Sequence, residues 1–560
     1  LPALFACGLA QYALARLARR RLGGQTGDVL GAVQQVGEIA ALPALAADTA
    51  EGETLAKDQS YTFRLPEAIR TLDPQKNADP QGAEVIRQLF EGLMNADAHG
   101  APVPGVAASY DLSQDRLTYT FHLRPQAKWS NGDPVTAGDF VRAWRRLADP
   151  ETASEQAWYL ELMHVENATE VIKGAKKPQE LGVAAPDDRT FQVRLSAPSP
   201  QLPHMLSHPA TYPVNRKALE QGDGWTRPGT LVGNGAYQLE SHDLGARILM
   251  VPNPHYWDAA HVVIRRLQGV TLVDDAQALA RWRDGGIDRM RIPAGQYPAL
   301  KQDRPAEVVV LPQGCTYGLA LNLGDKGPKA LRDLRVRQAL SLATPREAVV
   351  EQILQGGQAP AFGWTHPATQ GFSAPVPEAA GLTPAQRLDR ARALLAEAGY
   401  GPDRRLALSL TFNDTDPTHR RIAEATRDAL KPLGVDLVLR DLSWKVQVER
   451  MQAGEFELAR QTWCADYNEA STFLDIFRTG GANPGHFSDA EYDRLLDHAR
   501  TAPDPAPDYA AAEAILQHAL PVIPVYHYAR AELLRGDIRG LPRANMMNEW
   551  WAKDLYRVAR

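Results

Sequence analysis

Leu406-Ala407-Leu408-Ser409-Leu410-Thr411-Phe412 is a short apolar run with strand character. A helical pattern follows over 417–432, a second strand over 435–441 and a second helix over 444–452. That β-α-β-α order is the signature of an α/β lobe. Working backwards, residues 384–398 read as another helix, ended by Gly399, and the run 331–355 has helical spacing throughout. Nearer the start, Leu117 to Leu123 alternates apolar and polar side chains, which predicts a half-buried strand. The turn Asn131-Gly132-Asp133-Pro134 comes next. Thr136 then caps a helix, with Asp139 in the place of a capping box. Phe140, Val141 and Trp144 share one face of that helix and read as core. Asn234-Gly235 is a further turn, before Tyr237 and a β-rich region.

The chain has 560 residues, too many for one ordinary core, so two or three lobes are expected. Apolar residues make up 44% and charged residues 23%, which excludes global disorder. A net charge of -6 gives no electrostatic case for nucleic acid as a partner. No stretch is long and apolar enough to span a bilayer. The three cysteines, Cys7, Cys315 and Cys464, form no CxxC, so neither a zinc ribbon nor a thioredoxin-like motif is present. Nucleophile elbow, zinc-protease, Walker and dinucleotide-binding motifs are all missing, and the 14 histidines have no metal-ligand spacing. Nothing argues positively for an enzyme, a cofactor or a metal.

Residues 1–46 differ from the rest. Arg16, Arg19, Arg20 and Arg21 precede a weakly apolar segment that ends Ala44-Leu45-Ala46-Ala47, and this suits an export signal cleaved after Ala46. The alternative is an unfolded or mistranslated leader. An exported protein would act in the periplasm, free or membrane-associated.

The most distinctive stretch runs from Arg460 through Trp463-Cys464-Ala465-Asp466-Tyr467-Asn468-Glu469. A strand ending at Arg460 leads into an aromatic, a thiol and a carboxylate. These could form a ligand-facing rim. Equally, Trp463 could be core and Asp466 a loop cap, and spacing alone favours that second reading.

Several ordered motifs resemble one family. They are Leu72-Asp73-Pro74, Leu89-Phe90-Glu91-Gly92-Leu93, Thr120-Phe121-His122-Leu123-Arg124, Ala127-Lys128-Trp129-Ser130-Asn131-Gly132, Asn234-Gly235-Ala236-Tyr237, Pro254-His255-Tyr256-Trp257 and Trp463-Cys464-Ala465-Asp466-Tyr467-Asn468. From Ala47 onward the chain is similar to the periplasmic oligopeptide-binding proteins of peptide ABC importers, a solute-binding family that includes dipeptide and murein-tripeptide receptors. The resemblance implies an α/β clamp of two lobes with an additional third domain. Residues 47–90, 214–314 and 530–560 would build the first lobe, 91–213 the additional domain and 315–529 the other lobe. It implies a monomeric, non-enzymatic receptor that delivers short peptides, of three to five residues, to the permease subunits of an importer. A murein or other cell-wall peptide is the alternative ligand.

The resemblance also implies site roles. Asp466 would hold the peptide ammonium, with Gln156 where the family has a Tyr. The backbone at Thr462 to Cys464 and at Ala78 to Pro80 would pair with the ligand, Pro80 at the cost of one ladder donor. Arg460 and His419 would meet the C-terminal carboxylate, and Trp444, Trp463 and Tyr528 would wall side-chain pockets. Cys315 and Cys464 would form a disulfide. Leu354 stands where a Lys could meet a dipeptide carboxylate, and Met451, beside Arg450, where an Arg is expected.

Overall fold

The computed structural model describes residues 53–373 and 375–559. The strand Leu406–Asn413 is buried at all positions but Ala407, as a strand covered on both faces must be. It pairs in parallel with Val435–Leu442 on one side and Leu458–Cys464 on the other. The helix Pro417–Leu430 connects the first two. Asp416 caps it, accepting from the Thr418 N–H at 2.8 Å, and Pro417 stands at its first position, where the missing N–H costs nothing. His419, Ile422, Ala423, Thr426 and Leu430 form its buried stripe.

These strands end an eleven-stranded sheet in the order Val435–Leu442, Leu406–Asn413, Leu458–Cys464, Val308–Leu321, Val522–Leu534, Arg289–Arg291, Ser60–Leu65, Arg266–Thr271, Arg247–Pro252, Tyr237–Asp243, with Ala359–Pro360 paired to the side. The two long central strands run through both halves. They pair from Val308 to Pro312 and again from Thr316 to Ala320, and the register breaks between. Pro312 has no N–H to give to the ladder, so a break beside it is expected. At the break Cys315 and Cys464 face each other on neighbouring strands and are joined by a disulfide, as the resemblance implied.

A separate four-stranded sheet has the order Ala107–Leu112, Thr118–Leu123, Thr190–Arg194, Val183–Asp187. The helix Ala137–Ala148 packs on it. The Asp139 carboxylate accepts from the Thr136 N–H at 2.9 Å, closing the capping box, and Phe140 and Trp144 meet Phe191 at 5.8 and 5.3 Å. One apolar core runs without interruption from Tyr61 in the large sheet and Trp550 packed on it to Phe121 and Trp144 here, whereas the region around Leu408 and Ile422 has a core of its own. The additional sheet therefore shares its apolar core with one half of the molecule and meets the other through polar contacts such as the Tyr159 hydroxyl to the Asp466 carbonyl.

Two sequence expectations are corrected. The run 331–355 is not one helix: Leu334–Ala343 stops at Thr344, because Pro345 cannot continue it, and helical turns resume at Arg346. The strand expected to end at Arg460 continues to Cys464, carried by its pairing with Cys315 to Leu321.

Candidate functional site: a cleft with unpaired charges

Asp466 follows the last residues of the strand Leu458–Cys464 and is held by its backbone. Its N–H donates to Thr472 Oγ1 at 3.1 Å and its carbonyl accepts from the Tyr159 hydroxyl at 3.3 Å. The carboxylate itself has neither an ion pair nor a hydrogen bond among the described residues. Burial alone pushes its pKa up, to about 6, with no nearby charge to offset the loss of water. It caps no backbone N–H, unlike Asp79, which accepts from Gly82 at 2.6 Å. A cavity of about 60 Å³ opens beside it, lined also by Arg87, Glu549, Tyr159, His208 and Asn468. Glu549 is already committed there, to Arg87 at 2.8 Å and to the Ser207 hydroxyl at 3.0 Å. Asp466 is thus the carboxylate of this cavity that is left for an incoming cation.

Six residues earlier, Arg460 presents the opposite charge. Its guanidinium lies over the Tyr317 ring, 5.3 Å from the centroid, it has no carboxylate partner among the described residues, and its Nε is buried without a hydrogen bond. The His419 ring is 5.8 Å from the same tyrosine. Desolvation and then the Arg460 charge push this imidazole down to about 4, so it is neutral at pH 7. Tyr526 stacks on Tyr317 at 5.0 Å, and Tyr528 lies 4.9 Å beyond it. Six residues of extended chain span at most about 20 Å. The acidic and basic ends are therefore within reach of one short extended peptide.

Thr462 pairs with Tyr317 and Cys464 with Cys315, so the strand carries Arg460, Thr462 and Cys464 on one face. Trp463 points the other way and packs half-buried against the core around Trp364 and Phe477. Trp444 begins a helix and is 52% exposed, which rules out a core role. Gln156 is half-buried near the start of the helix Trp158–Leu162. Ala78 and Pro80 are exposed, and no hydrogen bond joins them to Leu458–Cys464 among the described residues. Pro80 heads the helix Pro80–Leu89, so its missing N–H falls where helices leave donors unused. Leu354 packs half-buried on the core of the second lobe. Met451 packs on Ala320, Phe456 and Ala459, while Arg450 donates to the Glu455 carbonyl at 3.1 Å; both are occupied in holding structure. Sequence reasoning missed Tyr159 and Tyr317. Tyr317 was within reach of it, since it lies two residues from Cys315 on the same strand face.

Two lobes joined by crossing strands, with charges of opposite sign along the strand between them, are the architecture of a solute-binding protein. Residues 101–485 match the family described as bacterial extracellular solute-binding proteins, family 5 middle, and the chain belongs to that family. It is 38% identical over 528 residues to the periplasmic oligopeptide-binding protein OppA of Salmonella typhimurium, covering 93% of this chain and 96% of that one. Among solved structures it is similar to the unliganded open form of the murein tripeptide binding protein MppA, with a TM-score of 0.87, 36% identity and coverage of 91% and 99%. It is also similar to OppA of Haemophilus influenzae in complex with the peptide RPPGFSPFR, with a TM-score of 0.65, 34% identity and coverage of 90% and 100%. Residues 1–46 match a different family, described as cobalamin-5-phosphate synthase. That stretch, with the expected export signal and Cys7, lies outside the described residues.

Proposed function

We propose that this chain is a periplasmic receptor that closes two lobes on a short peptide and presents it to the permease of an ABC importer. The observation that carries the reading is the Asp466 carboxylate, desolvated and left without a partner. A buried charge with nothing to offset it is costly, and the α-ammonium of a peptide is the complement it lacks. Arg460, with neutral His419 beside it, offers the matching site for the α-carboxylate. Main-chain pairing with the strand at Thr462 to Cys464 would read what all peptides share. Residues 47–90, 214–314 and 530–560 form one jaw, to which 91–213 is fixed, and 315–529 forms the other. The break in strand pairing after Pro312 and the shared core of the first jaw and the additional domain support that division. The greater likeness to an open, unliganded relative than to a peptide complex supports an open resting state. Gln156 and Leu354, where oligopeptide receptors carry other groups, favour as second reading a specialised ligand such as a murein peptide. Mass spectrometry of whatever the denatured protein releases, followed by calorimetric titration with that peptide and its N-acetylated form, tests the proposal. Release of a peptide whose binding acetylation abolishes supports it; equal binding of both forms overturns it.

A further inference from the structure

A second cavity adjoins the one beside Asp466, sharing His204 with it, between the four-stranded sheet and the opposite jaw, with a volume of about 330 Å³. That is at the small end for organic ligands. One wall is the hairpin Ala107–Leu112/Thr118–Leu123, which contributes Tyr110, Leu112 and Tyr119, and the facing wall includes Phe372. Tyr110 and Leu112 are 39% and 36% exposed, so apolar surface is presented across the gap rather than packed. Three polar groups in the lining have an atom without a partner among the described residues: Ser199 Oγ, in a residue only 1% exposed, His204 Nδ1 and Glu469 Oε1. The Tyr119 hydroxyl donates to the Ser199 carbonyl at 3.0 Å and leaves the serine hydroxyl unserved. Buried polar groups without a partner are costly in folded proteins.

The charges of the cavity are spent unequally. Glu469 accepts from the Ser471 N–H at 2.8 Å through one oxygen, keeps Oε1 without a partner among the described residues and is pushed up in pKa by burial, while Asp504 accepts from the Ala506 N–H at 3.1 Å. Arg116, at the hairpin tip, has one 3.4 Å contact to the Ala502 carbonyl and no ion pair among the described residues. Arg500 sits 3.6 Å from Asp475, at the outer limit of pairing. A flat apolar slot with a free guanidinium at its mouth and unserved hydroxyl and imidazole groups in its wall has the complementarity of one ligand class.

We infer that this cavity is an accessory site for a small phenolic carboxylate, its ring between Tyr119 and Phe372, its carboxylate on Arg116 and its hydroxyl against Ser199 and His204. The walls come from both jaws, so, resting on the reading that the jaws move, an occupant favours the open arrangement. It then weakens peptide capture by the same factor by which peptide weakens the occupant.

The probe is 4-hydroxyphenylacetate, titrated by calorimetry into the ligand-free chain. Saturable binding is expected, weaker for phenylacetate, weakened about tenfold or more in Arg116→Gln and largely kept in Arg116→Lys. Peptide affinity without the probe should be the same in all three proteins, and saturating probe should lower it in the wild type. Absence of saturable binding through the millimolar range, or equal binding to Arg116→Gln, overturns the site. Probe binding that needs Arg116 yet leaves peptide affinity unchanged overturns the coupling while the peptide reading stands. Failure of peptide to bind with the probe site intact overturns the peptide reading instead.

Discussion

Glu532 and Asp466 are both carboxylates withdrawn from water, and they have opposite fates. Glu532 lies at the heart of the first jaw with both oxygens engaged by Arg289, at 2.6 and 3.1 Å, and with Arg530 beside it; these charges outweigh desolvation and hold it down at about 2. Asp466 has desolvation and nothing else, and is pushed up to about 6. Arg289 is completed by Glu84 at 3.1 Å, whereas Arg460 lies over an aromatic face and has no ion pair among the described residues. A carboxylate buried for structure arrives with its cation from within the chain. A carboxylate buried for binding leaves the cation to the ligand. The two should respond oppositely to neutralisation.

Glu532→Gln gives the largest expected effect. It leaves Arg289 buried and short of its main partner, a loss of about 3–5 kcal/mol of stability, measured by urea unfolding. Asp466→Asn in the same experiment should leave stability unchanged or slightly raised, since it removes a charge the fold does not compensate. If Asp466→Asn destabilises as Glu532→Gln does, the contrast between the two carboxylates is void. In binding the order reverses. Asp466→Asn strands the peptide ammonium in a closed site, at a cost of up to about 3–5 kcal/mol, or several hundred-fold and more in affinity. N-acetylation of the peptide should then hurt the wild type far more than the variant. Equal cost in both proteins would place the ammonium elsewhere.

The difference between the jaws also governs what was legible in the sequence. The α/β jaw from 406 to 452 could be read because its periods are local: alternation in the strands, a buried stripe in Pro417–Leu430, a cap at Asp416. Val308–Leu321 and Val522–Leu534 could not, because each passes from one jaw to the other and answers to two cores in succession. Trp463 and Asp466 stayed ambiguous for the same reason: whether a side chain is core or rim depends on strands about 150 residues away, as the pairing of Cys464 with Cys315 shows. Their functional reading came from the motif, and the geometry of Asp466 from its neighbours. Pro80 also carries a local signal. Asp79-Pro80 is an ordinary helix start, while backbone pairing of Ala78 to Pro80 with a ligand is a separate expectation.

Arg460 sharpens the comparison at the other end of the cleft. Arg460→Gln removes the charge while leaving a shorter polar side chain, and should cost about 1.5–3 kcal/mol for a peptide with a free C-terminus. For the C-terminally amidated peptide it should cost little. Titration of both peptides into both proteins checks this, and an equal loss for the amide would mean that Arg460 supports the site through Tyr317 rather than meeting the carboxylate.

The smallest effect expected is on pH dependence, and its sign follows from the same unpaired carboxylate. In the empty protein Asp466 titrates at about 6; bound to an ammonium it must titrate lower, because the opposite charge favours the ionised form. Affinity is therefore full above pH 6 and falls as pH drops through it, approaching tenfold per unit, so that pH 5 should be roughly tenfold weaker than pH 7. The peptide ammonium, with an ordinary pKa of about 7.7–8.0, stays charged throughout. His419, held down to about 4, gains its proton only below that window, and its protonation would strengthen capture of a carboxylate, the opposite sign. Binding should accordingly release about half a proton at pH 6 and close to one at pH 5, measurable by calorimetry in buffers of different ionisation heat. Asp466→Asn should abolish both the release and the slope. A slope that survives in the variant would assign the titration to another group and remove the pH signature that separates Asp466 from Glu532.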